Sequence, residues 1–337
     1  MREYISGLYI PFQIIVYLLI FILGSFCLIK CCDIFLDNTS KVAKKFKIPK
    51  IIIGLTIVAI GTSIPELSVS LSDAFASARD GSNSNIGFSN VIGSNISNLL
   101  LVLSFGCLFS PIVTKKQNRK DYGFMLFITF VLTIFVLFFG NDKEILRWEA
   151  IILSSFIILY VIYIIFSVKG DIKEEEPNKE NVTLLKPILF IAACIVGLAI
   201  GGELVVYGAK GISLNVSNIL GIDKNMAESF IGLTVVGVGT SLPELVTTVI
   251  SSKKGENEIA LGNVIGSNIF NVIFVVGLSG TIAPFTISRH MVIDLLVLVF
   301  VTILVMIFVC KGKLNRGHSY LFLLFYFSYL AYLIIRL

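Results

Sequence analysis

The 337-residue sequence predicts an all-α membrane protein of ten transmembrane helices, built as two inverted five-helix repeats with discontinuous helices around a central polar site. Three observations predict it. Hydrophobic residues make up 56% of the chain and charged residues only 15%, a balance outside the range of water-soluble domains. Apolar stretches of about 20 residues, long enough to cross the hydrocarbon core, recur along the whole length. Two sequence blocks occur once in each half: GLTIVAIGTSIPEL at 54–67 matches GLTVVGVGTSLPEL at 232–245 in 10 of 14 positions, and NVIGSNISN at 90–98 matches NVIGSNIFN at 263–271 in 8 of 9.

Hydropathy places the spans of the first half at 8–29, 48–78, 86–110, 121–140 and 145–168. Those of the second half fall at 186–210, 221–252, 258–281, 289–311 and 318–336. The first span starts close to Met1 without a basic n-region or a small-residue cleavage site, so it reads as a retained helix. Residues 1–168 then form one repeat, 169–185 a short linker of mixed charge, and 186–337 the second repeat. The two blocks are offset by 178 and 173 residues, and the five-residue surplus of the first half is expected in the loop-like stretch ARDGSNSNIG. Because five spans is an odd number, the second copy enters the membrane inverted, an architecture that places transported ions near the midplane where broken helices meet.

The net charge of +5 does not mark a nucleic-acid surface, because the basic residues sit in alternate loops. Lys30, Lys41, Lys44, Lys45, Lys47 and Lys50, then Lys115, Lys116, Arg119 and Lys120, and most of the rest fall on one side. That side is the cytoplasmic one, which puts both termini outside a multi-pass cell-membrane protein. The six cysteines lie in apolar segments with no metal-ligand spacing and read as small hydrophobes. His290 and His318 stand near span ends, also without such spacing.

Glu66 and Glu244 sit in the middle of long apolar segments. A carboxylate at bilayer depth costs several kcal/mol unless it is partnered. Neither copy supplies a nearby Lys or Arg, so a bound cation is the simplest counter-charge. Pro65 and Pro243 cannot donate to the carbonyls four residues back, which breaks each helix beside its Glu and frees the oxygens of Gly61 and Gly239. Thr62 and Ser63 share a helix face with Glu66, as Thr240 and Ser241 do with Glu244. The second block adds the stripes Asn90, Ser94, Asn98 and Asn263, Ser267, Asn271, while Gly93 and Gly266 allow close packing against the Pro-Glu helices. The inventory is oxygen only, which suits hard cations such as Ca²⁺ and disfavours zinc or copper.

The paired GTSxPE and GNxIGSNxxN blocks, in five-plus-five inverted halves, resemble the cation/calcium exchanger superfamily, and in particular its prokaryotic sodium/calcium exchangers. The motifs cover 54–103 and 232–277. The resemblance implies a secondary antiporter that exchanges Ca²⁺ for Na⁺ by alternating access, with the first and sixth spans as the moving element and no cofactor. It assigns Ca²⁺ to Glu66 and Glu244, and sodium sites to Thr62, Ser63, Thr240, Ser241, Ser94 and Ser267 with the carbonyls of Ala59 and Gly237. The last motif position falls on Asn98 and Asn271, where some members carry an Asp in one copy. Two carboxylates neutralise one Ca²⁺, two Na⁺ or two H⁺, so proton/calcium exchange stands as the alternative, and a cation channel as a remote one. No Ser/His/Asp or Cys/His constellation accompanies the glutamates, which argues against an enzyme. The partners expected are inorganic cations and the bilayer. Glu203, in a Gly-rich part of the sixth span, is expected to be structural or interfacial.

Overall fold

Backbone amides in hydrocarbon have no water to bond, so each apolar stretch closes its hydrogen bonds within a helix. The computed structural model describes residues 10–46, 49–81, 86–114, 116–139, 144–170, 184–219 and 237–335. In chain order they form α1 (Ile10–Phe46), α2 (Lys50–Thr62), α3 (Ile64–Asp80), α4 (residues 86–109), α5 (residues 116–139), α6 (Arg147–Gly170), α7 (Leu185–Ile219), α8 (Gly237–Thr240), α9 (Leu242–Lys253), α10 (Asn257–Ile282), α11 (Arg289–Cys310) and α12 (Arg316–Ile335). Among the described residues eight helices are long and apolar enough to cross a membrane, and α2 with α3, bent by 44° at their junction, makes a ninth. Most of the expected linker (171–183) and the whole first half of the expected seventh span (221–236) lie outside the described residues.

Three expectations are corrected. The first span does not stop near residue 29: α1 runs on for 37 residues to Phe46, so Lys30, Lys41, Lys44 and Lys45 stand on a helix and not in a loop. The sixth span likewise extends to Ile219. Hydropathy sees the end of the apolar run, whereas a helix continues as long as its own hydrogen bonds and its neighbours support it. The five-residue surplus lengthens a helix and not a loop, since α3 has 17 residues where its counterpart α9 has 12. Alanine-rich DAFASAR continues the helix, and Gly81, at φ +66°, ends it in the left-handed conformation that costs glycine little.

The two long helices α1 and α7 pack against each other in reverse order. Tyr17 and Phe21 meet Gly208, Gly24 meets Gly201, Leu204 and Val205, and Cys31 meets Gly197, so the pair is antiparallel. A Cβ at Gly24 would lie 2.8 Å from the Val205 nitrogen, nearer than those atoms can approach, so glycine there sets the interaxial distance. Leu28, Phe35 and Leu36 of α1 and Leu198 and Val205 of α7 form a satellite core with Ile53, Val58 and Ile259. The main core is built around α4 and α10, the most completely buried helices, with α5, α6, α11 and α12 arranged about them.

Among the described residues there are four two-residue strands: β1 (Ile112–Val113), β2 (Glu144–Ile145), β3 (Phe285–Thr286) and β4 (Lys313–Leu314). β1 pairs antiparallel with β4 and β2 with β3, so each ladder ties a loop of the first half to one of the second. At one end of the bundle a polar network joins α1 to the turn between α9 and α10. Lys254 Nζ lies 2.5 Å from Asp33 Oδ1 and 2.8 Å from Asp37 Oδ1, and Glu256 Oε1 accepts from Lys50 Nζ at 3.0 Å and from Ser40 Oγ at 3.3 Å. These groups are partly exposed, and such pairs contribute about 0–1 kcal/mol each. Lys254 makes two of these pairs, so Lys254→Ala is expected to lower stability by no more than about 2 kcal/mol, read as a small fall in Tm in detergent.

Candidate cation site

Both Pro-Glu segments break in the same way. Ser63 (φ −86°, ψ 9°) separates α2 from α3, and Ser241 (φ −85°, ψ 6°) separates α8 from α9. Each proline falls in the first turn of the new helix, where its missing N–H costs nothing, and the new ladder starts with Leu67 N donating to Ser63 O and Leu245 N to Ser241 O. The break also places Glu66 and Glu244 in the first turns of α3 and α9. Unpaired amides and the positive end of the helix dipole favour a carboxylate there.

The side chains then interlock across the two halves. Glu244 Oε1 accepts from Ser63 Oγ at 2.9 Å and from Ser267 Oγ at 3.4 Å. Thr62 Oγ1 donates to Asn263 Oδ1 at 3.1 Å and lies 3.5 Å from Ser267 Oγ; in the other half Ser94 Oγ lies 3.4 Å from Thr240 Oγ1. Asn90 Nδ2 donates to the Glu66 carbonyl at 3.4 Å, and Asn263 Nδ2 to the Glu244 carbonyl at 3.3 Å. The Thr–Ser and Asn–carbonyl contacts repeat in both halves, while the Ser63–Glu244 hydrogen bond has no Ser241–Glu66 counterpart among the described residues.

Thr62, Ser63, Glu66, Ser94, Asn98, Thr240, Ser241, Glu244, Ser267 and Asn271 are all buried. Six oxygens of this set have no hydrogen-bond partner among the described residues: both of Glu66, Oε2 of Glu244, and one each of Ser241, Asn98 and Asn271. Leaving such atoms unpaired in a dry interior is costly, and a cation with six to eight oxygen ligands removes that cost. The Ala59 carbonyl accepts from Ser63 N at 3.1 Å, and the hydroxyl oxygens of Thr62 and Ser267 lie 3.3 and 3.4 Å from it. Gly237 is the first residue of α8.

Gly266 performs the packing expected of it. A Cβ there would lie 2.6 Å from the Leu55 carbonyl oxygen, so α10 and α2 meet backbone to backbone, as they do again at Gly54 and Gly262. Asn98 and Asn271 each open a π-helical turn (Asn98–Val102 and Asn271–Val276), a form frequent at functional sites. Three features are not singled out from the sequence: Asn95 and Asn268, inside the second block but one position off the Asn/Ser stripes, and the buried hydroxyls of Thr247, Thr248, Ser251 and Ser252, which continue the Glu244 face of α9. The repetition of Asn95 and Asn268 in both copies of the second block is the signal that could have found the first two.

The model of the family described as sodium/calcium exchanger protein matches residues 16–169 and 186–335. The chain belongs to the sodium/calcium exchanger family. It is 32% identical to the sodium/calcium exchanger MaX1 of Methanosarcina acetivorans over 95% of this chain and 99% of that protein. Similarity extends to an uncharacterised membrane protein of Methanocaldococcus jannaschii, 33% identical over 92% of this chain and 96% of that one, and to the inner membrane protein YrbG of Escherichia coli, 32% identical over 78% and 79%. Among solved structures, the sodium-calcium exchanger NCX_Mj soaked with 10 mM Na⁺ and zero Ca²⁺ superposes with a TM-score of 0.77 at 30% identity, covering 94% of this chain and 99% of that one. The sodium/calcium exchanger family thus accounts for the helical membrane fold, and it is a family of exchangers and not of enzymes.

Proposed function

We propose that this chain exchanges Ca²⁺ for Na⁺ across the cell membrane by alternating access, with Glu66 and Glu244 binding the two cations in competition. The observation that carries the reading is a pair of fully buried carboxylates, on matching broken helices, that meet hydroxyls or nothing among the described residues and no Lys or Arg. Two negative charges match one Ca²⁺ or two Na⁺ in a low-dielectric interior. Thr62, Ser63, Ser94, Thr240, Ser241 and Ser267 supply neutral oxygens, with Asn98, Asn271 and the carbonyls of Ala59 and Gly237. Proton/calcium exchange loses ground because MaX1 and NCX_Mj are both named for sodium and calcium.

Architecture supports the same reading. Ten spans in two inverted halves, 1–168 and 186–337, accord with the two matched segments and with the reverse packing of α1 on α7. Both termini then face the outside. α1 and α7 are the moving element, a reading supported by their packing in a hydrophobic cluster, shared with Ile53, Val58 and Ile259, that is separate from the main α4–α10 core. The deciding experiment is calcium uptake by proteoliposomes under an imposed sodium gradient. Uptake that follows the sodium gradient is expected; uptake that follows a proton gradient and ignores sodium would overturn the proposal.

A further inference from the structure

A carboxamide can turn either its oxygen or its NH₂ towards a cation, and only the oxygen is a ligand. Asn271 is held so that the oxygen remains available. The chain of bonds that holds it starts at a group with no choice of polarity, the main-chain carbonyl of Asn268, which can only accept. Asn95 Nδ2 donates to that carbonyl at 3.3 Å, which turns Asn95 Oδ1 the other way, and Asn271 Nδ2 donates to it at 3.0 Å. Asn271 Oδ1 is left buried and without a hydrogen-bond partner among the described residues. Asn271 lies one turn beyond Ser267, whose hydroxyl donates to Glu244, so it stands on the face of α10 that bears the site.

The other half is built differently. Asn268, the counterpart of Asn95, donates to Val264 O of its own helix at 2.7 Å, and Asn98 has neither side-chain atom bonded among the described residues. We infer that Asn95 is a positioning residue for cation binding: it fixes the Asn271 carboxamide with its oxygen towards the ion, so that the two motif asparagines are unequal ligands. The inference rests on the proposed cation site. It makes Asn95 act through Asn271 and not by touching the ion.

The test is equilibrium Ca²⁺ binding by calorimetry on the full chain in sodium-free detergent solution, with half-saturation and turnover measured in proteoliposomes. Asn95→Leu is expected to weaken Ca²⁺ binding about tenfold, as loss of an outer partner of a ligand does, while turnover at saturation changes less than about twofold. Asn95→Asp keeps an acceptor for Asn271 Nδ2 and is expected to avoid that loss. In an Asn271→Asp background both oxygens of residue 271 are equivalent, so Asn95→Leu is expected to cost no affinity there. Equal losses from Asn95→Leu in both backgrounds, an Asn95→Asp loss as large as that of Asn95→Leu, or a fall in turnover with unchanged half-saturation would each overturn the inference. A parent protein that binds no Ca²⁺ at all would instead sink the cation-site reading, and monodisperse elution of each variant separates a binding defect from misfolding.

Discussion

Glu66→Gln and Glu244→Gln are each expected to reduce sodium-driven calcium uptake by at least about a hundredfold. A unit charge pair 4 Å apart at an effective dielectric of 20 interacts by about 4 kcal/mol, and a divalent ion loses about twice that when one carboxylate becomes an amide. Even after the lower desolvation cost of the amide is allowed for, the remainder exceeds the ~2.8 kcal/mol that a hundredfold represents. Glutamine keeps the shape and the first-turn position, so the variants fold, and normal detergent elution alongside lost uptake is the expected pair of readings. Near-normal uptake by either variant would remove the glutamates from the centre of the mechanism. The two need not fail identically, because Ser63 donates to Glu244 Oε1 whereas Ser241 makes no matching bond to Glu66 among the described residues.

Gly266→Ala is expected to cost about 3 kcal/mol of stability, at the upper end of what overpacking does, because the added carbon meets backbone and not a side chain that could turn away. It would lie 2.6 Å from Leu55 O and 2.7 Å from Ala59 Cβ, and relief requires α10 and α2 to separate. Separation carries Ala59 and Thr62 away from Ser267, so cation affinity falls along with Tm. Gly123→Ala is the matched control. No atom lies within 4 Å of a Cβ built there among the described residues, and an alanine inside a helix is favoured over glycine by about 1 kcal/mol. Equal Tm values for the two variants would show that the α2–α10 contact has room for a methyl group.

The repeat makes the centre of the molecule legible in the sequence. A proline next to a glutamate in an apolar run predicts a broken helix, and both breaks fall at the serine two residues before the proline. The stripes Asn90, Ser94, Asn98 and Asn263, Ser267, Asn271 are visible because helical spacing alone puts them on one face. Asn95 is not, because its role depends on which atom of a neighbouring helix it meets, and spacing carries no such information. The π-turns opening at Asn98 and Asn271 are hidden for a related reason, since they follow from packing between helices and leave the apolar pattern intact. The length of α1 escapes hydropathy where Lys41, Lys44 and Lys45 lower the mean of a segment that stays helical.

The ion pairs joining Asp33 and Asp37 of α1 to Lys254 make that end of the bundle responsive to the solution bathing it. Asp33 is 49% exposed, Asp37 59% and Lys254 31%, so dissolved salt reaches all three. Near 0.15 M salt the screening length is about 8 Å, and at 1 M it shrinks to about 3 Å. At low ionic strength these charges help hold α1 against the turn; at high ionic strength their attraction is largely screened. Electrolyte concentration on that side therefore tunes a contact between α1 and the α9–α10 turn worth about 0–1 kcal/mol per pair.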